Sequence, residues 1–356
     1  MKTGSASVEF RNVVKRYGEV TAVDDVSFEI APGELVTLLG PSGCGKTTTL
    51  RLIAGLEMAS SGRISIGGKD VTNLSAADRD VSMVFQSYAL FPHMSVIGNV
   101  AYGPSVQGAS KARARELAME KIALVGLKGL EDRAPSELSG GQQQRVAVAR
   151  ALVLEPKVLL FDEPLSNLDA KLRRRVRDEI RELQLSLSLT VAYVTHDQEE
   201  ALAVSDRIIV MSNARIAQIG TPRELYEAPA DLFVADFIGD ANILDGEVLS
   251  QEGSTARVRL GGIEIDAATP HPVAGAVKLV IRPDAIRLSG APPGTPSLRG
   301  RVAKAAYIGK HMEYTVEAGD AKLFVIDRAT AAPVGQGADV WLTIAPRSAI
   351  LLPRVG

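Results

Sequence analysis

Gly40-Pro41-Ser42-Gly43-Cys44-Gly45-Lys46-Thr47 is the stretch that decides the fold. It satisfies the pattern G-x-x-x-x-G-K-[ST] and stands between an apolar run, Leu35 to Leu39, and a helical segment with Leu50, Ile53 and Ala54 at i, i+3 and i+4. Glycines let the backbone curl until successive N–H groups face one centre, and a helix N-terminus adds positive partial charge there. Lys46 then reaches the outer phosphates of a nucleoside triphosphate, and the Thr47 hydroxyl is placed for Mg²⁺, with Thr48 beside it on the same turn.

Such a site also needs a carboxylate for the metal and a group that orients or deprotonates water. Val158-Leu159-Leu160-Phe161-Asp162-Glu163 supplies both, as a buried apolar strand ending in two acids. Asp162 is expected in the metal shell and Glu163 at the attacking water. Upstream, Leu138-Ser139-Gly140-Gly141-Gln142 precedes a helical run, Gln143 to Leu154, so Ser139 and two glycines open a second anion site at a helix N-terminus. One phosphate loop and two anion sites are reconciled if two copies pair and each closes its second site on the other's γ-phosphate.

These residues carry a family resemblance. Leu138 to Gln142 resembles the signature of ATP-binding cassette (ABC) ATPases, and other cassette features follow in the family's order over residues 8 to 235. The resemblance implies ATP as ligand and Mg²⁺ as cofactor, with Tyr17 stacked on adenine and Gln86 touching metal and water while sensing membrane subunits. It implies that Ser166-Asn167-Leu168-Asp169 crosses a dimer interface and that His196, in Thr195-His196-Asp197, contacts the γ-phosphate. Arg145 and Gln142 are expected to steady the signature helix. The fold class is then α/β: a P-loop NTPase ABC cassette, with a mainly parallel sheet core, an antiparallel β subdomain and a helical subdomain, followed by a small all-β OB-like domain.

Composition agrees with two globular domains. The 356 residues are 46% hydrophobic and 23% charged, with 40 Lys and Arg against 42 Asp and Glu. Residues 1–240 hold 27 cations against 31 anions and the remainder 13 against 11, which disfavours a nucleic-acid coating role. Lys171 to Arg177 holds five cations, but Arg174 and Arg175 are expected to pair with Asp178 and Glu179 at i, i+4. The single cysteine, Cys44, excludes an intrachain disulfide and fits a reducing compartment. It also sits beside the phosphates, where a helix N-terminus favours thiolate, so its alkylation is expected to slow with MgATP. The amino end lacks the apolar stretch of a secretory signal, and the apolar runs fall far short of the roughly 20 residues that cross a bilayer.

Past Asp240 short strands and turn clusters read as a small barrel or sandwich, giving an ATP-binding domain at 1–238 and a β domain at 239–356. Ile281-Arg282-Pro283-Asp284 and Gly300 to Gly309 resemble the OB-like transport-associated (TOBE) domain of importer ATPases of the maltose, polyamine, iron and sulfate kind. That implies an ATP-hydrolysing subunit at the cytoplasmic face of the plasma membrane, peripheral, working with two transmembrane permease subunits and indirectly with a solute-binding protein. Ser87 to Met94, with apolar residues expected at the surface, would receive the permease. Asp236 to Asn242 leans the cargo toward polyamine or iron(III). The alternative is a soluble ABC ATPase acting on nucleic acid or ribosomes. It is disfavoured because the chain has neither a second cassette nor a coiled-coil insertion, and its tail lacks a basic, aromatic-rich groove.

Overall fold

The computed structural model describes residues 4–269, 272–328, 333–345 and 348–353; Met1 to Thr3 of the polar amino end lie outside them. In chain order the first part runs β1 (Val8–Tyr17), β2 (Val20–Ile30), β3 (Leu35–Leu39), α1 (Lys46–Ala54), β4 (Ser61–Ile66), β5 (Lys69–Asp70), β6 (Val81–Val84) and α2 (Val96–Val106). It goes on through α3 (Lys111–Leu124), α4 (Gly140–Leu152), β7 (Val158–Asp162), α5 (Ala170–Leu187), β8 (Thr190–Val194), α6 (Gln198–Val204), β9 (Arg207–Ser212) and β10 (Arg215–Gly220).

Strands β3, β7 and β8 are buried at every position, as unbroken apolar runs require when helices cover both faces of a sheet. They lie inside a six-stranded sheet ordered β10-β9-β3-β8-β7-β6, parallel except for the β9–β10 hairpin. This order carries the ends of β3, β7 and β8, with the phosphate loop, Asp162 and Thr195, to one edge, where α/β sheets hold ligands. A four-stranded antiparallel sheet, β2-β1-β4-β5, carries the opening strands. Its alternation places Val8, Phe10, Val26 and Phe28 inward, with Phe10 and Phe28 stacked at 4.5 Å. Helices α2, α3 and α4 bury a core of their own through Val100, Ile122 and Val146.

The remaining elements are α7 (Pro222–Glu227), α8 (Leu232–Phe237), β11 (Asn242–Glu252), β12 (Thr255–Leu260), β13 (Ile263–Ala268), β14 (Gly275–Ile281), β15 (Ile286–Ser289), β16 (Leu298–Tyr307), β17 (Met312–Ala318), β18 (Ala321–Asp327), β19 (Asp339–Ile344) and β20 (Ala349–Pro353). Five strands close a barrel, β11-β12-β13-β20-β14, and five form a sheet, β15-β19-β16-β17-β18. By packing, the chain divides into compact units at Pro222 and Arg223. Helix α8 falls in the second unit because Arg282 is buried and donates to the carbonyls of Ala235 and Tyr226, with its guanidinium 4.2 Å from the Tyr226 ring centre. Asn242, also buried, exchanges hydrogen bonds with the Phe324 backbone and so ties β11 to β18. Both residues lie in stretches singled out from the sequence.

Candidate active site

The phosphate loop has the backbone its glycines allow. Gly45 has φ of 104°, and a Cβ there would lie 2.4 Å from the Ala22 carbonyl oxygen; one on Gly40 would lie 2.3 Å from that of Met211. Helix α1 starts at Lys46 with no side-chain cap, so its first-turn N–H groups are left for an anion. Lys46 is buried, and its Nζ donates to the carbonyls of Gly40 (2.7 Å) and Pro41 (2.9 Å). Ser42 and Gly43 are exposed at the loop's tip. Cys44 is buried, with its Sγ against Gly40, so the loop itself covers the thiol.

Asp162 ends β7 with its Oδ1 at 3.4 Å from the Thr47 hydroxyl. Burial pushes its carboxyl up, and the neighbouring Glu163 adds to this against the opposing pull of Arg51 and Thr47. Two oxygen donors with no nitrogen or sulfur suit a hard cation that keeps its other positions for water and phosphate. No group of three or more His, Cys, Asp or Glu among the described residues is arranged to hold a metal, so phosphate and water would have to complete the shell.

Glu163 turns the chain at the end of β7 in a left-handed conformation, φ 45°, held by its N–H to Val194 and its carbonyl to Ser166. That turn brings its Oε2 to 3.0 Å from Nδ1 of His196. Glu163 and His196, 33 residues apart, thus meet at one edge of the sheet.

The other candidates are placed as follows. Gln86 is exposed and donates from its carboxamide to Ser166 (3.3 Å), while Asn167 donates to its carbonyl (3.2 Å). No hydrogen bond among the described residues joins Gln86 to Thr47 or Asp162. Tyr17 is 44% exposed, with the Lys15 ammonium, itself paired with Glu57, 4.6 Å from its ring centre. Asp169 caps α5, accepting from the N–H groups of Lys171 and Leu172. Ser139 caps α4 in a box closed by Gln142, whose side chain accepts from the Ser139 N–H at 2.9 Å. Gly140 and Gly141 pack against Leu168 and Leu172, so no side chain larger than hydrogen fits there without displacing them. No hydrogen bond or ion pair among the described residues links Ser139–Gln142 to the phosphate loop.

Other partners were not legible. Arg173 on α5 donates to the Leu168 carbonyl and to Asp197, each at 3.1 Å, bridging the loop after Glu163 to the one that carries His196. Behind His196, buried Glu200 is bonded by Tyr193 and Thr195, and burial raises its carboxyl. Arg150 clamps the carbonyls of Tyr88 and Ala89, both in left-handed conformations just after Gln86. Two expectations are corrected. Glu179 pairs with Arg145 of α4 and Asp178 with Arg177, not with Arg175 and Arg174, because α4 packs on that face of α5. Within Ser87 to Met94, Tyr88 is buried and Leu90, Phe91 and Met94 are half-buried, leaving Ala89 and Pro92 as its exposed apolar residues.

The ABC transporter family model matches residues 23–166 and the TOBE domain model residues 279–352. The Fe(3+) ions import ATP-binding protein FbpC of Agrobacterium fabrum is 60% identical over 97% of this chain and 98% of its own length. The protein of the same name from Rhizobium etli is 59% identical over 97% of each chain. The chain belongs to the ABC transporter family. It is an ATP-hydrolysing transport ATPase of the importer kind, with an ABC cassette followed by an all-β TOBE-type domain. Among solved structures, the ABC cassette MJ0796, dimeric in a post-hydrolysis state bound to ADP and Pi, has a TM-score of 0.54 at 31% identity, covering 61% of this chain and 99% of that one. As a transporter subunit the ABC ATPase works at a membrane, and no helix among its described residues is long and apolar enough to cross one.

Proposed function

We propose that this chain powers uptake of iron(III), each of two copies closing on ATP held by the other. The observation that carries the cargo is 60% identity along nearly the whole chain to a protein named for Fe(3+) import, tail included. In this reading residues 1–238 bind ATP and 239–356 form the OB-like domain. The dimer engages two permease subunits at the cytoplasmic face of the inner membrane and, through them, a solute-binding protein. Soluble work on nucleic acid or ribosomes is set aside, since the relatives at this identity are import proteins.

The chain's own residues divide the work. Lys46 exchanges its loop carbonyls for the outer phosphates, which the loop Gly40 to Gly45 wraps and which the N–H groups of Ser42, Gly43, Cys44, Gly45 and Thr48 face, Pro41 shaping the loop without donating. Tyr17 offers its ring to adenine. Thr47 and Asp162 would hold Mg²⁺, with Gln86 swinging in from Ser166; the metal, when bound, neutralises phosphate charge. Glu163 accepts a proton from the attacking water, and His196, which meets its carboxylate, contacts the γ-phosphate. Ser139, Gly140, Gly141 and Gln142 of the second copy supply the facing anion site, and Asp169 sits in the loop that meets it. Gln86 and the loop after it pass the motion to the permease.

The test is replacement of the Agrobacterium fabrum relative by this chain in a strain lacking it. Iron uptake is expected to return with the wild-type chain and not with Glu163→Gln. Restored polyamine uptake without iron uptake would reassign the cargo.

A further inference from the structure

Helices α4 and α5, with Leu124 to Gly126 at the end of α3, line an open cleft of about 440 Å³, a volume in the range of small-molecule sites. Val148 on α4 and Val176, Ile180 and Leu183 on α5 make its wall apolar, and Gln144 belongs to the same wall. Gln144 is fully buried, yet neither the nitrogen nor the oxygen of its carboxamide has a hydrogen-bond partner. Among the described residues it alone has two such orphaned side-chain atoms. Gln184 on α5, almost as buried, shows the usual outcome: it donates to the carbonyls of Gly33 and Leu189 and accepts from Arg181. Buried polar groups are normally paired, and an unpaired donor and acceptor on one side chain call for a partner offering both.

We propose that this cleft binds a neutral, mostly apolar small molecule whose amide or lactam edge meets the Gln144 carboxamide with one donor and one acceptor. Neutrality follows from the surroundings. Of the charged residues that line the cleft, Arg145 and Glu179 pair with each other and Glu182 is exposed to solvent at its rim, so the one unpaired charge disfavours an anion and the apolar wall penalises an unpaired ion of either sign. The carboxamide is closed off in the present packing, so binding entails a rotamer change of Gln144, a common adjustment at binding sites. Helix α4 opens at the signature glycines, so a molecule wedged between α4 and α5 sets how that end is presented. This effect on turnover rests on the functional reading above; binding itself does not.

The test titrates the full-length protein, with labelled Ile, Leu and Val methyl groups, with three probes of one shape: a phenyl-substituted γ-lactam, the matching phenylcyclopentanone and phenylcyclopentane. The lactam is expected to shift the Val148 and Ile180 methyls saturably and to bind roughly tenfold tighter than phenylcyclopentane, the worth of one paired edge. The near-isosteric Gln144→Leu is expected to erase that preference, and Leu183→Trp, filling the cleft, to abolish all three responses. Equal binding of the three probes to the wild type, a lactam preference that survives Gln144→Leu, or shifts away from the cleft would overturn the proposal. Saturating lactam is expected to change ATP turnover by roughly twofold or more. Unchanged turnover in a protein whose basal ATPase is intact overturns the regulatory part alone, and absent basal turnover would instead count against the functional reading.

Discussion

Asp162 carries a buried carboxylate whose charge the fold itself disfavours, since burial and Glu163 together outweigh Arg51 and Thr47. A raised carboxyl contributes stability that is complete below the ordinary carboxylate range and is lost as pH rises through the shifted value. Asp162→Asn is therefore expected to raise the Tm of the nucleotide-free protein at neutral pH by roughly 2–4 °C, on the order of 1 kcal/mol. The gain should vanish in acid, where the native carboxyl is already protonated, and thermal melts at both pH values check this. The same variant should lose ATP hydrolysis. Lys46 presents the opposite case, a cation already satisfied by Gly40 and Pro41. Lys46→Ala should fold and weaken ATP binding, as read by nucleotide titration. Buried Cys44 should alkylate slowly with or without MgATP; a rate that falls sharply on adding nucleotide would show the thiol is exposed in the free protein. At this scale the phosphate loop was legible because its backbone excludes every residue but glycine at Gly40 and Gly45. The turn at Glu163 was not legible, since a left-handed glutamate leaves no mark in residue type.

At the scale of elements, helices α4 and α5 connect the motifs to one another. Arg150, in the last turn of α4, holds the Tyr88 and Ala89 carbonyls and thus the loop that follows Gln86. Arg150→Ala is expected to cost on the order of 1–3 kcal/mol through two charge-assisted bonds, seen as a lower denaturation midpoint. Arg150→Lys should recover part of it. Arg173 bridges Leu168 and Asp197, which places it between the loop after Glu163 and the loop of His196. Arg173→Met should lower kcat more than it changes KM for ATP, because it touches loops rather than nucleotide; equal loss in both would assign it to binding. None of these links was legible. Intrahelical pairing at i, i+4 is the only partner choice a sequence displays, whereas Glu179 met Arg145 across a helix interface. The buried strands β3, β7 and β8 were plain as apolar runs. The barrel strand β11 is not legible as a strand, because half-exposed positions blur its alternation.

For the whole molecule, two units hold separate cores, one around the parallel sheet and one around the barrel and its partner sheet. The single tryptophan, Trp341, lies in the second. MgATP should raise the melting transition followed by backbone circular dichroism of the cassette while leaving the Trp341 fluorescence transition in place, since linkage stabilises only what the ligand binds. A common shift would show that the units unfold together. The outline of two unlike domains was legible from texture alone, but the packing of α8 was not, because it depends on Arg282 some 45 residues later in the chain. The central claim, that Glu163 activates water at a nucleotide site built on Lys46 and Asp162, is tested most directly by steady-state ATP hydrolysis and ATP affinity of Glu163→Gln. Turnover should fall by at least about a hundredfold with affinity kept within about twofold of the wild type. Turnover near that of the wild type at intact affinity would contradict it.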